Sequence, residues 1–251
     1  MTVSKFQTKK VAVIGCSHSS IRTNDQVWIK QLADRFTHLE VYNYAMPGHG
    51  TLYFDMVLKH IMYEQEINYD WIIIQLTSSS RWHIPIMGNP DKEEWVTIRS
   101  SNNYKEIVNT NTRIGNLRPI SNFNNIDWDG LVEDGHIRVP DHKRQSFIDN
   151  HVFGQRNDAT TMTRLFEMQI DDMAKKGVPI SYFNFWNNTE DISKDNIGLK
   201  QSAHDYIRLF ASSDEDFIEN YLQEDLHFNA HSNTLLVEKL LTLPLFTQYI
   251  Y

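Results

Sequence analysis

Three short apolar runs near the start of the chain set the tightest limit on its fold. KVAVIG (10–15), LEVYNYA (39–45) and DWIIIQL (70–76) are rich in β-branched and aromatic residues, and the first and third are apolar almost without a break. A strand that is apolar on both sides is covered on both sides, as happens in a parallel sheet between helix layers. The two intervening segments carry helical spacing: Val27, Trp28, Ile29, Leu32, Ala33 and Phe36 in 25–36, and Leu52, Phe54, Met56, Val57, Leu58, Ile61 and Met62 in 52–66. Strand, helix, strand, helix, strand is the order that right-handed crossovers impose on a parallel sheet. The expected fold class is therefore α/β, with three layers (α/β/α) around a central parallel sheet.

The regularity stops at Arg81 and does not return before Asn157; between them lie tracts such as SSNNYKEIVNTNTRIGN and PISNFNNIDWDG. A structureless loop of that length is uncommon inside a compact domain. Residues 82–157 are thus expected to be a large insertion or cap, with some structure of its own, over one end of the sheet. Helical periodicity resumes in 159–177, closed by Lys175, Lys176 and Gly177. VPISYFNFW (178–186) predicts a fourth strand, and helical pieces follow at 201–211, in SDEDFIENYL, and at 230–243. No internal repeat or low-complexity linker interrupts the chain, and its 251 residues, 41% of them hydrophobic, suffice for one large domain over 1–251.

Charge and cysteine content narrow the function classes. Asp and Glu number 32 against 24 Lys and Arg, a formal charge of -8, and such a surface does not attract nucleic acid or anionic lipid. The N-terminal MTVSKFQTKK lacks the apolar core of a secretory signal, and no apolar run approaches the roughly 18 residues of a membrane span. The expectation is a soluble protein made in the cytoplasm, with secretion by another route or assembly into a virion left open. Its single cysteine, Cys16, excludes an internal disulfide and any multi-cysteine metal site.

Ligands of open parallel sheets bind beyond the carboxyl ends of the strands, and the polar clusters of this chain fall there. The first strand ends in Gly15-Cys16-Ser17-His18-Ser19, the second in Asn43 and Pro47-Gly48-His49-Gly50, and the third in Gln75-Leu76-Thr77-Ser78-Ser79-Ser80-Arg81. The last third adds EDLHFNAHSN, with Glu224, Asp225, His227, Asn229 and His231. A serine hydroxyl attacks a carbonyl only when an imidazole takes its proton, and a carboxylate on the far ring nitrogen fixes the tautomer and stabilises the imidazolium. Ser17, His227 and Asp225 supply those three groups.

Each group also has a plainer reading. Ser17 is of a residue type that caps helices. Cys16 can itself attack as a thiolate, or pack inward as an inert buried thiol. His227 and His231 stand four apart, a spacing that suits two metal ligands on a helix, although no Glu adjoins His227 and DLHFN can precede the helix; no metal and no cofactor are expected. His18 and His49 carry no assigned role. Trp82, Trp95 and Trp128 line a sugar-binding cap or form a small satellite core. GCSHSS lacks the Lys of a phosphate loop and the later glycines of a dinucleotide fingerprint, which disfavours a nucleotide-binding protein.

Taken in order, the clusters resemble the sequence blocks of the SGNH hydrolases, also called GDSL esterases. VIGCSHS looks like the first block, Gly-Asp-Ser, with Cys16 in place of the Asp and Ser17 as nucleophile. NYAMPGHGT matches the second block at Gly48, and DLHFN matches the last, an acidic residue just before a histidine. The third block departs: where the family has Gly-x-Asn-Asp, LTSSSR places Thr77 at the glycine and Ser79 at the Asn that holds the oxyanion, with Arg81 nearby. The acidic partner of the histidine is Glu224 by the commoner spacing and Asp225 by that of some acetyl-transferring relatives, and Asp225 is preferred here.

The resemblance covers nearly the whole chain except the insertion. It implies a flavodoxin-like, SGNH-type sheet and cleavage of an ester, for example an O-acetyl group on a carbohydrate, through an acyl-serine with Ser17, His227 and Asp225. Gly48 and Ser79 would bind oxyanion and substrate, and the partner would be a small-molecule or glycan ester. Two alternatives follow from the altered third block and from the chemistry of the acyl-enzyme. One is a weak or inactive binding or structural component of a larger, for example viral, assembly; the other is an O-acyltransferase.

Overall fold

The structure, a computed structural model, describes residues 7–20, 26–47, 49–63, 67–77, 82–85, 97–101, 104–108, 117–120, 154–186 and 195–251. In chain order its elements are β1 (Lys9–Ile14), α1 (Trp28–Arg35), β2 (Leu39–Asn43), α2 (Thr51–Tyr63), β3 (Trp71–Leu76), β4 (Trp82–Pro85), β5 (Thr97–Ser101), β6 (Tyr104–Val108), β7 (Leu117–Ile120), α3 (Gly154–Lys175), β8 (Ile180–Asn184), α4 (Ala203–Arg208), α5 (Asp214–Tyr221), α6 (Ala230–Leu240) and α7 (Pro244–Thr247).

The main sheet has the order β5-β6-β2-β1-β3-β8. Its centre, β2-β1-β3-β8, is parallel throughout, in the register Val11 beside Val41 and Trp71, and Ile72 beside Ile180. The first crossover runs from β1 to β2 and the second passes back from β2 over β1 to β3, so β1 lies between β2 and β3, where strand order reverses. That is the position at which such sheets open a ligand crevice.

Side-chain alternation along the strands builds two separate cores. Val11, Val13, Val41, Trp71, Ile73, Phe183 and Phe185 face α1, α4 and α6, meeting Trp28, Ile29, Leu32, Ile207, Leu236 and Leu240. Ala12, Ile14, Tyr42, Ile72, Ile74, Leu76 and Tyr182 face α2 and α3, meeting Tyr53, Phe54, Val57, Phe166 and Ile170. Helices therefore cover both faces, and the near-continuous apolar strands are explained by burial on two sides.

Part of the stretch expected as an insertion or cap joins the main sheet instead of lying over its end. β6 pairs in parallel with β2, Val41 beside Tyr104, and β5 pairs antiparallel with β6, while β4 and β7 form a separate two-stranded ribbon. β6 satisfies the N–H and C=O groups that the outer edge of β2 would otherwise leave unpaired, and these strands are too short and polar to show a periodic pattern. Trp95 and Trp128 lie outside the described residues.

The C-terminal segment fastens the end of the sheet opposite the loops that follow the strands. Lys9 Nζ donates to the Tyr249 carbonyl at 2.9 Å, His38 Nε2 pairs with the Ile250 carbonyl at 2.8 Å, and Trp71 packs against the rings of Phe246 and Tyr249. Beside β8, the Asn196 side chain accepts from Tyr182 N–H and donates to the Ile180 carbonyl, both at 2.7 Å, so its amide stands in for a neighbouring strand. Among the described residues no helix is long and apolar enough to cross a membrane.

Candidate active site

The turn after β1 is held by two buried amides. Gln75, in the middle of the apolar β3, turns its Oε1 toward Cys16 N–H at 3.2 Å, Cys16 Sγ at 3.4 Å and Ser19 Oγ at 3.0 Å, while its Nε2 donates to the Leu76 carbonyl. Trp28 Nε1 donates to Ser19 Oγ at 2.9 Å, so the hydroxyl both gives and receives. From the other side Asn43 Nδ2 donates to the Ser19 carbonyl at 2.7 Å, and its Oδ1 accepts Ala45 N–H. Gly15 is required by this closeness: a Cβ there would stand 2.9 Å from Gln75 Oε1 and 3.1 Å from Ser19 Oγ. Ser17, His18, Ser19 and Ser20 are all buried in the resulting turn.

His227 is delivered by a short hairpin between α5 and α6. Gln223 N–H donates to the His227 carbonyl at 2.7 Å, Leu226 N–H to the Gln223 carbonyl at 2.9 Å, and Leu222 bridges to Phe228. The turn forces Leu226 to φ +65°, the left-handed region that a side chain disfavours. Within the hairpin Asp225 holds His227 at two points. Its Oδ1 accepts His227 N–H at 3.2 Å, and its Oδ2 lies 2.9 Å from His227 Nδ1. The second contact sits off the N–H axis, so it is an electrostatic pairing and not yet an aligned hydrogen bond.

The hairpin is tied to the first βαβ unit through Asn233, which is 2% exposed. Its Oδ1 accepts Trp28 N–H at 3.1 Å, capping the start of α1, and its Nδ2 donates to the carbonyls of Phe228 and Asn229. The His227 ring accordingly meets the turn after β1: its centroid is 4.7 Å from that of His18, the residue that follows Ser17. His18 itself lies flat on Phe185, at the end of β8, with centroids 3.8 Å apart and an interplanar angle of 22°. Trp186, Phe228 and His204 extend the cluster, the His204 ring packing on Trp186 at 4.6 Å and against the edge of Phe217 at 5.0 Å. Burial pushes the His204 imidazole below its ordinary pKa, against the opposing pull of Asp205 and with a smaller push from Arg208.

No protein-family model matches this chain, and a search of curated proteins finds no match.

The other residues singled out from the sequence are placed as follows. Cys16 is fully buried in the core that faces α2, its sulfur against Gln75, so an exposed nucleophilic thiol is ruled out for it. Ser17 does not cap α1, whose N-cap position is Val27. His227 precedes α6, and His231 is an exposed residue within it, so the two do not share a helix face. Glu224 is exposed, and no ion pair joins it to His227 among the described residues. His49 Nδ1 pairs with the Pro47 carbonyl at 2.8 Å and its ring packs edge-on against Tyr53. Gly48, Ser79 and Arg81 lie outside the described residues.

Two further contributors are marked in the sequence, and a third is not. Gln75 interrupts an otherwise apolar strand, and Asn233 stands on the stripe formed by Leu236, Val237 and Leu240; a polar residue in such a position needs a fixed buried partner. His204 lies in a short helix whose pattern gives no hint of the aromatic ring it meets.

Proposed function

We propose that the protein is a serine hydrolase of the SGNH type, cleaving an ester through an acyl-serine on Ser17. The observation that carries this reading is the placement of His227: Asp225 lies against its Nδ1, and its ring faces the residue that follows Ser17. A proton held on Nδ1 beside the carboxylate leaves Nε2 as the base for the Ser17 hydroxyl. In the first half-reaction Ser17 Oγ attacks the ester carbonyl as its proton passes to His227; the imidazolium then protonates the departing alcohol. In the second, water attacks the acyl carbon as its proton passes to His227, and the imidazolium returns that proton to Ser17 Oγ as the C–O bond breaks and the acid leaves. The backbone N–H of Ser17, with Gly48 and Ser79, would steady the oxyanion. The sheet order β2-β1-β3-β8 supports the same reading, because it sets Ser17 beside the crossover crevice. An O-acetylated carbohydrate is the substrate class in keeping with the aromatic, Asn-rich composition.

The test is turnover of p-nitrophenyl acetate by the wild type and Ser17→Ala, together with labelling by a phosphonate ester and mapping of the modified residue. Wild-type turnover, loss in Ser17→Ala and a label on Ser17 are expected; equal rates in the two proteins overturn the reading. The substitution of Asn by Ser79 favours a second reading, a catalytically silent glycan-binding relative, for which the same assay would show neither turnover nor label while glycan binding persists.

A further inference from the structure

We infer that Thr77 is a further substrate-facing residue, its hydroxyl donating a hydrogen bond to the carbonyl oxygen of the bound ester and to the oxyanion that forms from it. The inference rests on the esterase reading and adds a residue to which that reading gives no role.

Thr77 follows directly on β3, at the carboxyl end of the sheet, and is 3% exposed. Its Oγ1 is buried without a hydrogen-bond partner among the described residues. A buried hydroxyl in that state is unfavourable, so it calls for a partner that the described residues do not provide. The placement says which partner. Along β3, Trp71 and Ile73 face α1 and α6, whereas Ile72, Ile74 and Leu76 face α2 and α3. Gln75 shares the first of these faces, where its amide reaches the turn that carries Ser17, and the alternation carried one residue on puts Thr77 there as well.

On the neighbouring strand that face belongs to Phe183 and Phe185, and Phe185 N–H donates to the carbonyl of Leu76, the residue before Thr77. Phe185 is also the ring on which His18 lies, next to His227. The hydroxyl is thus set between the turn holding Ser17 and the cluster holding His227, at the switch between β1 and β3. An alcohol group has one proton to donate, and a carbonyl oxygen gaining negative charge is the acceptor that rewards it most.

The experiment compares wild type, Thr77→Val, Thr77→Ser and Ser17→Ala for p-nitrophenyl acetate turnover and thermal melting. Thr77→Val keeps the shape and removes the donor. Its kcat is expected to fall by about 10²-fold with KM little changed, as for loss of one oxyanion donor. Its melting temperature is expected to rise by about 2–4 °C, because an unsatisfied buried hydroxyl is gone. Thr77→Ser keeps the donor and should stay within about tenfold of the wild-type rate, which a purely structural role for the side chain would not require. A Thr77→Val protein with wild-type kcat, beside an inactive Ser17→Ala, overturns the inference alone. So does a lowered melting point in Thr77→Val, which would mean that the hydroxyl is already bonded in the resting fold. A wild type without Ser17-dependent turnover overturns the esterase reading itself and takes the role of Thr77 with it.

Discussion

The imidazole rings of His18 and His227 pack with centroids 4.7 Å apart and planes tilted by 44°, though one belongs to the first strand's turn and the other to a hairpin near the C-terminus. His18 is pressed flat on Phe185 and is 5% exposed, so it forms the wall against which His227 rests. His18→Ala should leave a cavity beneath the His227 ring and destabilise the fold by about 2–4 kcal/mol. His18→Phe keeps the stack and should lose less than half as much. Urea unfolding midpoints of the two variants check the order; equal losses would mean that the ring's shape is not what supports the site.

Asn233 joins three things that must agree if His227 is to meet the turn after β1: the start of α1, the hairpin carbonyl of Phe228, and α6. Asn233→Ala strands Trp28 N–H, while the Phe228 and Asn229 carbonyls keep Gln223 Nε2 and the backbone N–H of residue 233 as donors, so the cost is that of one buried unsatisfied group, about 1–3 kcal/mol. Asn233→Asp keeps the acceptor for Trp28 but places a carboxylate against the carbonyls of Phe228 and Asn229, and it should be no better tolerated. Chemical denaturation reads both. If Asn233→Ala unfolds at the wild-type midpoint, the amide is not what fastens the hairpin.

Asp225 is half exposed whereas the His227 side chain is 20% exposed, so their pairing matters more for orientation than for stability. Asp225→Asn should change unfolding free energy by less than about 1 kcal/mol. Its kcat for ester turnover should fall by about 10²- to 10⁴-fold, because an amide facing Nδ1 favours the wrong tautomer and no longer stabilises the imidazolium. Glu224→Gln, one position earlier, should be close to wild type. The reverse pattern in the two variants would assign the orienting carboxylate to Glu224.

The layered architecture was legible in the sequence because burial on two faces marks the strands: KVAVIG and DWIIIQL are apolar at almost consecutive positions, and helical stripes separate them from the strand LEVYNYA that lies between them in the chain. The placement of Ser17 just past β1 followed from the same pattern. The strands β5 and β6 were not legible, since edge pairing is satisfied by backbone groups and asks little of side-chain periodicity. Nor was the role of His18, whose partners Phe185 and His227 are supplied by β8 and a C-terminal hairpin; nothing local marks a ring that stacks on residues so distant in the chain.

His204 makes stability depend on pH in a direction that can be worked out. Its imidazole pKa lies below the ordinary value in the folded protein, chiefly through burial among Trp186, Phe217 and Phe228. In the unfolded chain the ring titrates near about 6.5. Between that value and the lower folded one the unfolded state binds more protons, so this contribution is complete above about pH 6.5 and is lost as pH falls through the window. His204→Phe removes the titration and should therefore lose less stability than wild type between about pH 7.5 and 5.5. Equal losses, measured by denaturation at the two pH values, would place the acid-sensitive group elsewhere.

Leu226 marks where the hairpin is strained. At φ +65° its Cβ crowds the backbone, a cost of about 1–2 kcal/mol for an L-residue, yet its side chain is 57% exposed and gains little from burial in return. Asn tolerates the left-handed region far better. Leu226→Asn should accordingly raise stability by about 1 kcal/mol, or about 2–4 °C in melting temperature. Leu226→Gly relieves the same strain but gives back part of the gain through the larger freedom of its unfolded chain. Because the Gln223 to His227 and Leu226 to Gln223 bonds use backbone atoms alone, neither variant disturbs the geometry that presents His227. Ester turnover should then be unchanged while the melting point rises. A lower melting point in Leu226→Asn would show that the leucine side chain, and not the backbone of the turn, is what holds the hairpin closed.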